Sequence, residues 1–240
     1  MSRRERERHR DELGTAADSR GGGPHLPVRR PRYGGYVGLL ALLILALITI
    51  NTVLTKPNGA SGLAPGSILA PFAAPLATGN LKGDANVATR ANEGTAGRVP
   101  ACSVRGPQIL NVCELYEQGP VVLALFVDAG SCAKILSAMQ ALVPAFPGVR
   151  FAAVAIKGSR DQLRKLIRSR GLTMPVGVDP DGVLAALYKV ASCPQVTFAL
   201  PGGRVQSKAL LASPAPATLR ARVSTLVAAA RAQGWREPAG

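Results

Sequence analysis

Histidine is almost missing from this chain of 240 residues: there are two, His9 and His25, and none follows them. Everything after residue 32 therefore lacks the base for Ser-His or Cys-His catalysis and the ligands for His-containing zinc sites. Aromatic residues make up only 4 %. No finger, RNP-like or helix-turn-helix pattern interrupts the basic residues, which are spread along the chain. The formal charge of +15 thus does not read as a nucleic-acid partner. Two further absences are a C-x-x-C pair and any internal repeat. The last is charge between Tyr33 and Thr55.

That uncharged run, YGGYVGLLALLILALITINTVLT, is 23 residues long, enough to span a bilayer core of roughly 30 Å as a helix. The flank before it, residues 1–32, carries nine Arg against five acidic residues. Positive flanks stay in the cytoplasm, so an N-in, C-out single-pass anchor is expected over 33–55. The long apolar core and long preceding segment argue against a cleaved signal peptide. Residues 1–32 read as a disordered basic cytoplasmic tail. Residues 56–99, rich in Ala, Gly and Pro, read as a flexible linker to an extracytoplasmic domain, with Pro57, Pro65, Pro71 and Pro75 breaking any long helix. Residues 235–240 read as a C-terminal tail.

From residue 100 the pattern turns globular. PVVLALFV (120–127) and GVRFAAVAI (148–156) are apolar runs of the kind found in strands buried on both faces. Between them Ile135, Leu136, Met139, Leu142 and Val143 recur at helical spacing. Ser159 and Gln162 predict a capping box before the stripe Leu163, Leu166 and Ile167. Arg160, Arg164, Lys165 and Arg168 read as the solvated face of that helix. MPVGV, the turn DPDG, the short helix VLAALYKV, a hairpin over QVTFAL, PGG and RVQSKAL, and a closing helix at 216–233 complete the order. It predicts an α/β layer architecture with a central, partly parallel sheet.

All four cysteines, Cys102, Cys113, Cys132 and Cys193, follow the expected anchor. An even count in an oxidising compartment suggests disulfides, and sequence alone leaves three pairings open.

Three segments carry a resemblance. PVVLALFV leading into a cysteine-bearing helix resembles the active-site strand and helix of the thioredoxin-like superfamily. PVGVDPDGVLAALYKV and SCPQVTFALPGGRV resemble its later elements, the second including a loop with a cis-proline. The closest likeness is to membrane-anchored redoxins of the TlpA/ResA type, over roughly residues 100–234. The resemblance implies a mixed sheet flanked by helices, with Pro194 as the cis-proline and Cys193 contacting the redox sulfur. It implies Cys132 and Cys193 as partners across the site, and helix-end stabilisation of a Cys132 thiolate. Helical spacing puts Cys132 in the second C-x-x-C slot, with Ala129 in the first. The short loop after the strand fits the nucleophile's slot instead, and both remain open. Cys102 and Cys113 are expected to form a local structural disulfide, worth about 2–3 kcal/mol by chain entropy.

The departures from the family pattern are definite. C-x-x-C is missing, the only Trp is Trp235, and Leu125 stands where thioredoxins carry a buried acid; Asp128 lies nearby. The function implied is thiol–disulfide exchange on external proteins, with thiol- or disulfide-bearing substrates, a membrane electron donor and the bilayer as partners. No metal or organic cofactor is implied. The alternative is a catalytically inactive binding module stapled by disulfides. A third reading, peroxiredoxin-like, lacks the threonine and arginine of that chemistry: Ala129 and Cys193-Pro194 take their places.

Overall fold

The computed structural model describes residues 33–54 and 62–237. The expected cytoplasmic tail, with both histidines, and residues 238–240 lie outside the described residues. The chain divides into two units, 1–55 and 56–240. The first contains α1, Tyr33–Leu54. Its side chains are described over 36–49, and these are exposed apolar groups such as Leu39, Leu42 and Leu47. Counted over the described side chains, no helix is long and apolar enough to cross a membrane.

The second unit is built on a five-stranded sheet in the order β5-β4-β3-β6-β7. Its strands are β3 (Val121–Phe126), β4 (Arg150–Ile156), β5 (Val176–Asp179), β6 (Gln195–Ala199) and β7 (Leu210–Leu211). β3, β4 and β5 run parallel, whereas β6 is antiparallel to β3, and β7 to β6. Every residue of β3 is buried because both faces of the sheet are covered, which is why the run lacks polar alternation. Side chains leave a strand on alternate faces. Val122, Ala124 and Phe126 enter one core, with helices α3 (Lys134–Gln140), α4 (Arg160–Ser169) and α6 (Pro216–Ala232). Val121, Leu123 and Leu125 enter the other, with α2 (Val112–Gln118) and α5 (Val183–Leu187).

The expectation of a flexible linker over 56–99 fails from residue 62 onward. Leu69, Phe72, Ala74 and Ala85 belong to the second core. β1 (Ala73–Pro75) pairs antiparallel with β2 (Ile109–Asn111), matching Ala74 with Leu110. The small sheet lies against β5, where Gly177 lets it approach closely: a Cβ there would meet Leu110 at 3.0 Å and Ala74 at 3.2 Å. The prolines that argue against a helix are no obstacle to so short a strand. The folded domain therefore already includes residue 62, well before the expected start at 100.

Three smaller expectations are also corrected. Arg160 and Arg164 do not simply form a solvated face. Arg160 donates to the carbonyls of Leu76 and Gly79, and Arg164 to those of Ala77 and Gly79. Their charges satisfy backbone acceptors in the 76–79 turn. Ser159 occupies the N-cap position of α4 without a side-chain capping bond, so no capping box forms. The residues expected as a tail begin packed: Trp235 rests on the first core, and Glu237 pairs with Arg231 at 2.7 Å.

Candidate functional site

The register between β3 and β6 puts Leu125 opposite Gln195. The chain leaving β3 and the chain entering β6 therefore meet at the same end of the sheet. Each carries a cysteine just beyond the strand. Beyond Phe126 the backbone closes a series of tight turns: Ala129 donates to Val127, Cys132 to Ala129 and Lys134 to Ser131. α3 starts only at Lys134, so Cys132 lies in the turn before the helix. On the other side the Cys193–Pro194 peptide bond is cis. The structure joins Cys132 to Cys193 in a disulfide with a Cα–Cα distance of 5.3 Å. Both cysteines are half-buried, Pro194 is buried, and Ala129, Gly130 and Ser131 are exposed. The Val127 N–H donates to the Cys193 sulfur at 3.2 Å.

Residues not singled out from the sequence hold these two loops. Gln195 is fully buried. Its amide donates to the Tyr188 carbonyl at 3.0 Å and its oxygen accepts from the Ala191 N–H, closing the loop that carries Cys193. Tyr188 is fully buried, which holds its phenol protonated well beyond its ordinary range, and the hydroxyl donates to the Ala70 carbonyl at 2.7 Å. Gly62 donates to the Lys189 carbonyl, so the 62–72 arm straps the same loop. The Cys132 turn is held by Arg170, which donates to the Ala133 carbonyl, and by Ser213, which donates to the Ser131 carbonyl at 3.2 Å. Tyr188 and Gln195 fall inside segments that carry the resemblance, which assigns them no role; Arg170 and Ser213 fall outside those segments.

The second bridge, Cys102–Cys113, has a Cα–Cα distance of 5.4 Å. Cys113 is fully buried in the first turn of α2. Asn111 caps that helix by accepting from the Cys113 and Glu114 N–H groups, and donates to the Ala101 and Val104 carbonyls. The bridge and the asparagine fasten the same turn.

Leu125 is fully buried in the second core, and Asp128 is half-buried beside the loop. Among the described residues the buried carboxylate is Asp179, at the end of β5. It accepts from the Leu184 N–H at 2.9 Å at the start of α5. Burial pushes its carboxyl up to about 6; the Leu184 N–H opposes this and Asp181 adds to it. Its other oxygen has no partner among the described residues. Among those residues no group of three or more potential ligands could hold a metal ion.

The comparisons with solved structures decide the fold. The domain is thioredoxin-like. It is similar to a candidate thiol:disulfide interchange protein DsbE of Chlorobium tepidum, with 17% identity and a TM-score of 0.51 over 70% of this chain and 98% of the other. A candidate protein disulfide isomerase of Bacteroides thetaiotaomicron gives 13% and 0.50 over 69% and 92%. The peroxidoxin BcpB of Mycobacterium tuberculosis gives 16% and 0.50 over 69% and 97%. No family model matches the chain, and no curated protein does. Identities this low speak to fold alone, and one fold hosts many functions.

Proposed function

We propose that the chain is a membrane-anchored, extracytoplasmic thioredoxin-like protein that exchanges thiols and disulfides with external proteins through Cys132 and Cys193. The observation that carries this reading is the disulfide joining the turn after β3 to the residue before a cis-proline, at an end of the sheet where both cysteines are half-buried. The other bridge has one cysteine fully buried, Cys113; neither Cys132 nor Cys193 is, and the reading takes one of them as open to an incoming thiolate. In exchange, a substrate dithiol loses two electrons and becomes a disulfide, while the Cys132–Cys193 bond takes up those electrons and two protons. Reduced protein runs the reaction backward and needs a membrane electron donor to recharge it. Pro194 is assigned to aligning the substrate backbone.

Anchoring is supported by the uncharged helix Tyr33–Leu54 and its exposed leucines, with the arginine-rich flank on the cytoplasmic side. Protease added outside intact cells should remove the domain, and detergent should be needed to extract the chain.

The redox reading is tested by equilibrating the folded domain in glutathione buffers, trapping thiols, and mapping the bridges. A Cys132–Cys193 potential in the range of known exchange catalysts, about −120 to −270 mV, supports it. A bridge that opens only when the domain unfolds would make this a stapled binding module instead.

A further inference from the structure

The two sulfurs of the Cys132–Cys193 bridge do not have equal surroundings. Cys193 Sγ accepts the Val127 N–H at 3.2 Å. Among the described residues no such donor lies on Cys132 Sγ. α3 is seven residues long and starts two residues beyond Cys132, so its end gives that sulfur little help. A hydrogen bond to the charged form lowers a thiol's pKa, and an exchange proceeds faster when the departing sulfur is the better thiolate. Both cysteines are half-buried, each followed by a buried residue, but Cys193 is packed against the first core and Cys132 is not.

We propose that the Val127 N–H makes Cys193 the leaving and resolving thiolate, so that the substrate sulfur is carried on Cys132. This rests on the exchange reading above and assigns its direction at the bridge. A substrate thiolate attacks Cys132 Sγ, forming a mixed disulfide. The Cys132–Cys193 bond breaks, and its electron pair leaves on Cys193 Sγ, which the Val127 N–H receives. A second substrate thiolate then attacks the substrate sulfur and releases Cys132. In the opposite direction the Cys193 thiolate attacks Cys132 Sγ and expels the substrate thiolate. The expectation of a thiolate favoured at Cys132 is thereby reversed, with Val127 acting as a positioning residue through its backbone.

The test uses the full chain in detergent with the Cys102–Cys113 bridge intact. In Cys132→Ser and Cys193→Ser, the thiolate absorbance of the remaining thiol is followed against pH. Cys193 should ionise with a midpoint at least about one pH unit below that of Cys132, equivalent to a tenfold difference in the ionisation constant. In the unaltered oxidised chain, brief exposure to reduced glutathione followed by acid quenching should leave at least about ten times more adduct on Cys132 than on Cys193. Val127→Pro, which deletes the donor, should raise the Cys193 midpoint. If that variant does not fold, the first two readouts still decide. Equal midpoints, or adduct mainly on Cys193, would overturn the assignment. A bridge that glutathione leaves closed in the folded chain would defeat the exchange reading itself, while the midpoints would still report which sulfur the N–H favours.

Discussion

Phe72→Ala distinguishes a folded 62–99 segment from a tether. Phe72 is fully buried. Its ring meets the Tyr188 ring edge to face, with centroids 5.8 Å apart and planes at 76°. Truncating a buried phenylalanine costs about 3–5 kcal/mol from lost burial and the cavity left behind. The aromatic pair contributes about 1 kcal/mol of that. In a domain of this size each kcal/mol moves Tm by about 2–4 °C, so the shift should be on the order of 6–20 °C. The assay is urea unfolding of residues 56–240 with both disulfides intact, comparing the variant with Leu81→Ala. Leu81 lies in the same segment but is 42% exposed, and its loss should change stability by about 0.5 kcal/mol or less. The denaturant slope should be unchanged in both. A Phe72→Ala cost below about 1 kcal/mol would show that the segment does not complete the core, and the argument from burial would fail with it.

Other perturbations have equally direct outcomes. Gly177→Ala should destabilise by about 1–3 kcal/mol in the same urea assay, because the new methyl overpacks against Leu110 and Ala74. Cys102→Ser with Cys113→Ser should cost about 2–4 kcal/mol and leave the Cys132–Cys193 potential unchanged in glutathione buffers. Asp179 holds its proton more tightly folded than unfolded, with a folded pKa of about 6 against an ordinary 3.8. Folding stability should therefore fall as pH rises from about 4 to 6 and then level off, by on the order of 1–2 kcal/mol. Asp179→Asn keeps an acceptor for the Leu184 N–H and should flatten that slope in urea melts across this range.

The buried strands were legible because β3 and β4 are apolar on both faces, a signal that survives without any knowledge of their neighbours. The segment 62–99 was not legible, because many of its buried residues are alanines, among them Ala73, Ala74, Ala77 and Ala88, and alanine gives little periodic signal. Arg160 and Arg164 misled for another reason: an arginine on a helix looks the same in sequence whether it faces water or a row of carbonyls. At the site, only the resemblance drew attention to the proline at 194. The Val127 N–H could not be read at all, since every residue but proline has one. What decides its role is the register that places Leu125 beside Gln195.

The strap across the Cys193 loop makes a cysteine late in the chain answerable to residues far upstream of it. Tyr188 and Ala70 are 118 positions apart, and Gly62 reaches Lys189 over a greater separation still. A fragment cut at residue 100 would keep both cysteines of the Cys132–Cys193 bridge and lose what steadies one of them, so its potential would belong to a loosened loop. A protease that nicked the arm between 62 and 72 would make the same alteration, retuning the bridge without touching either sulfur.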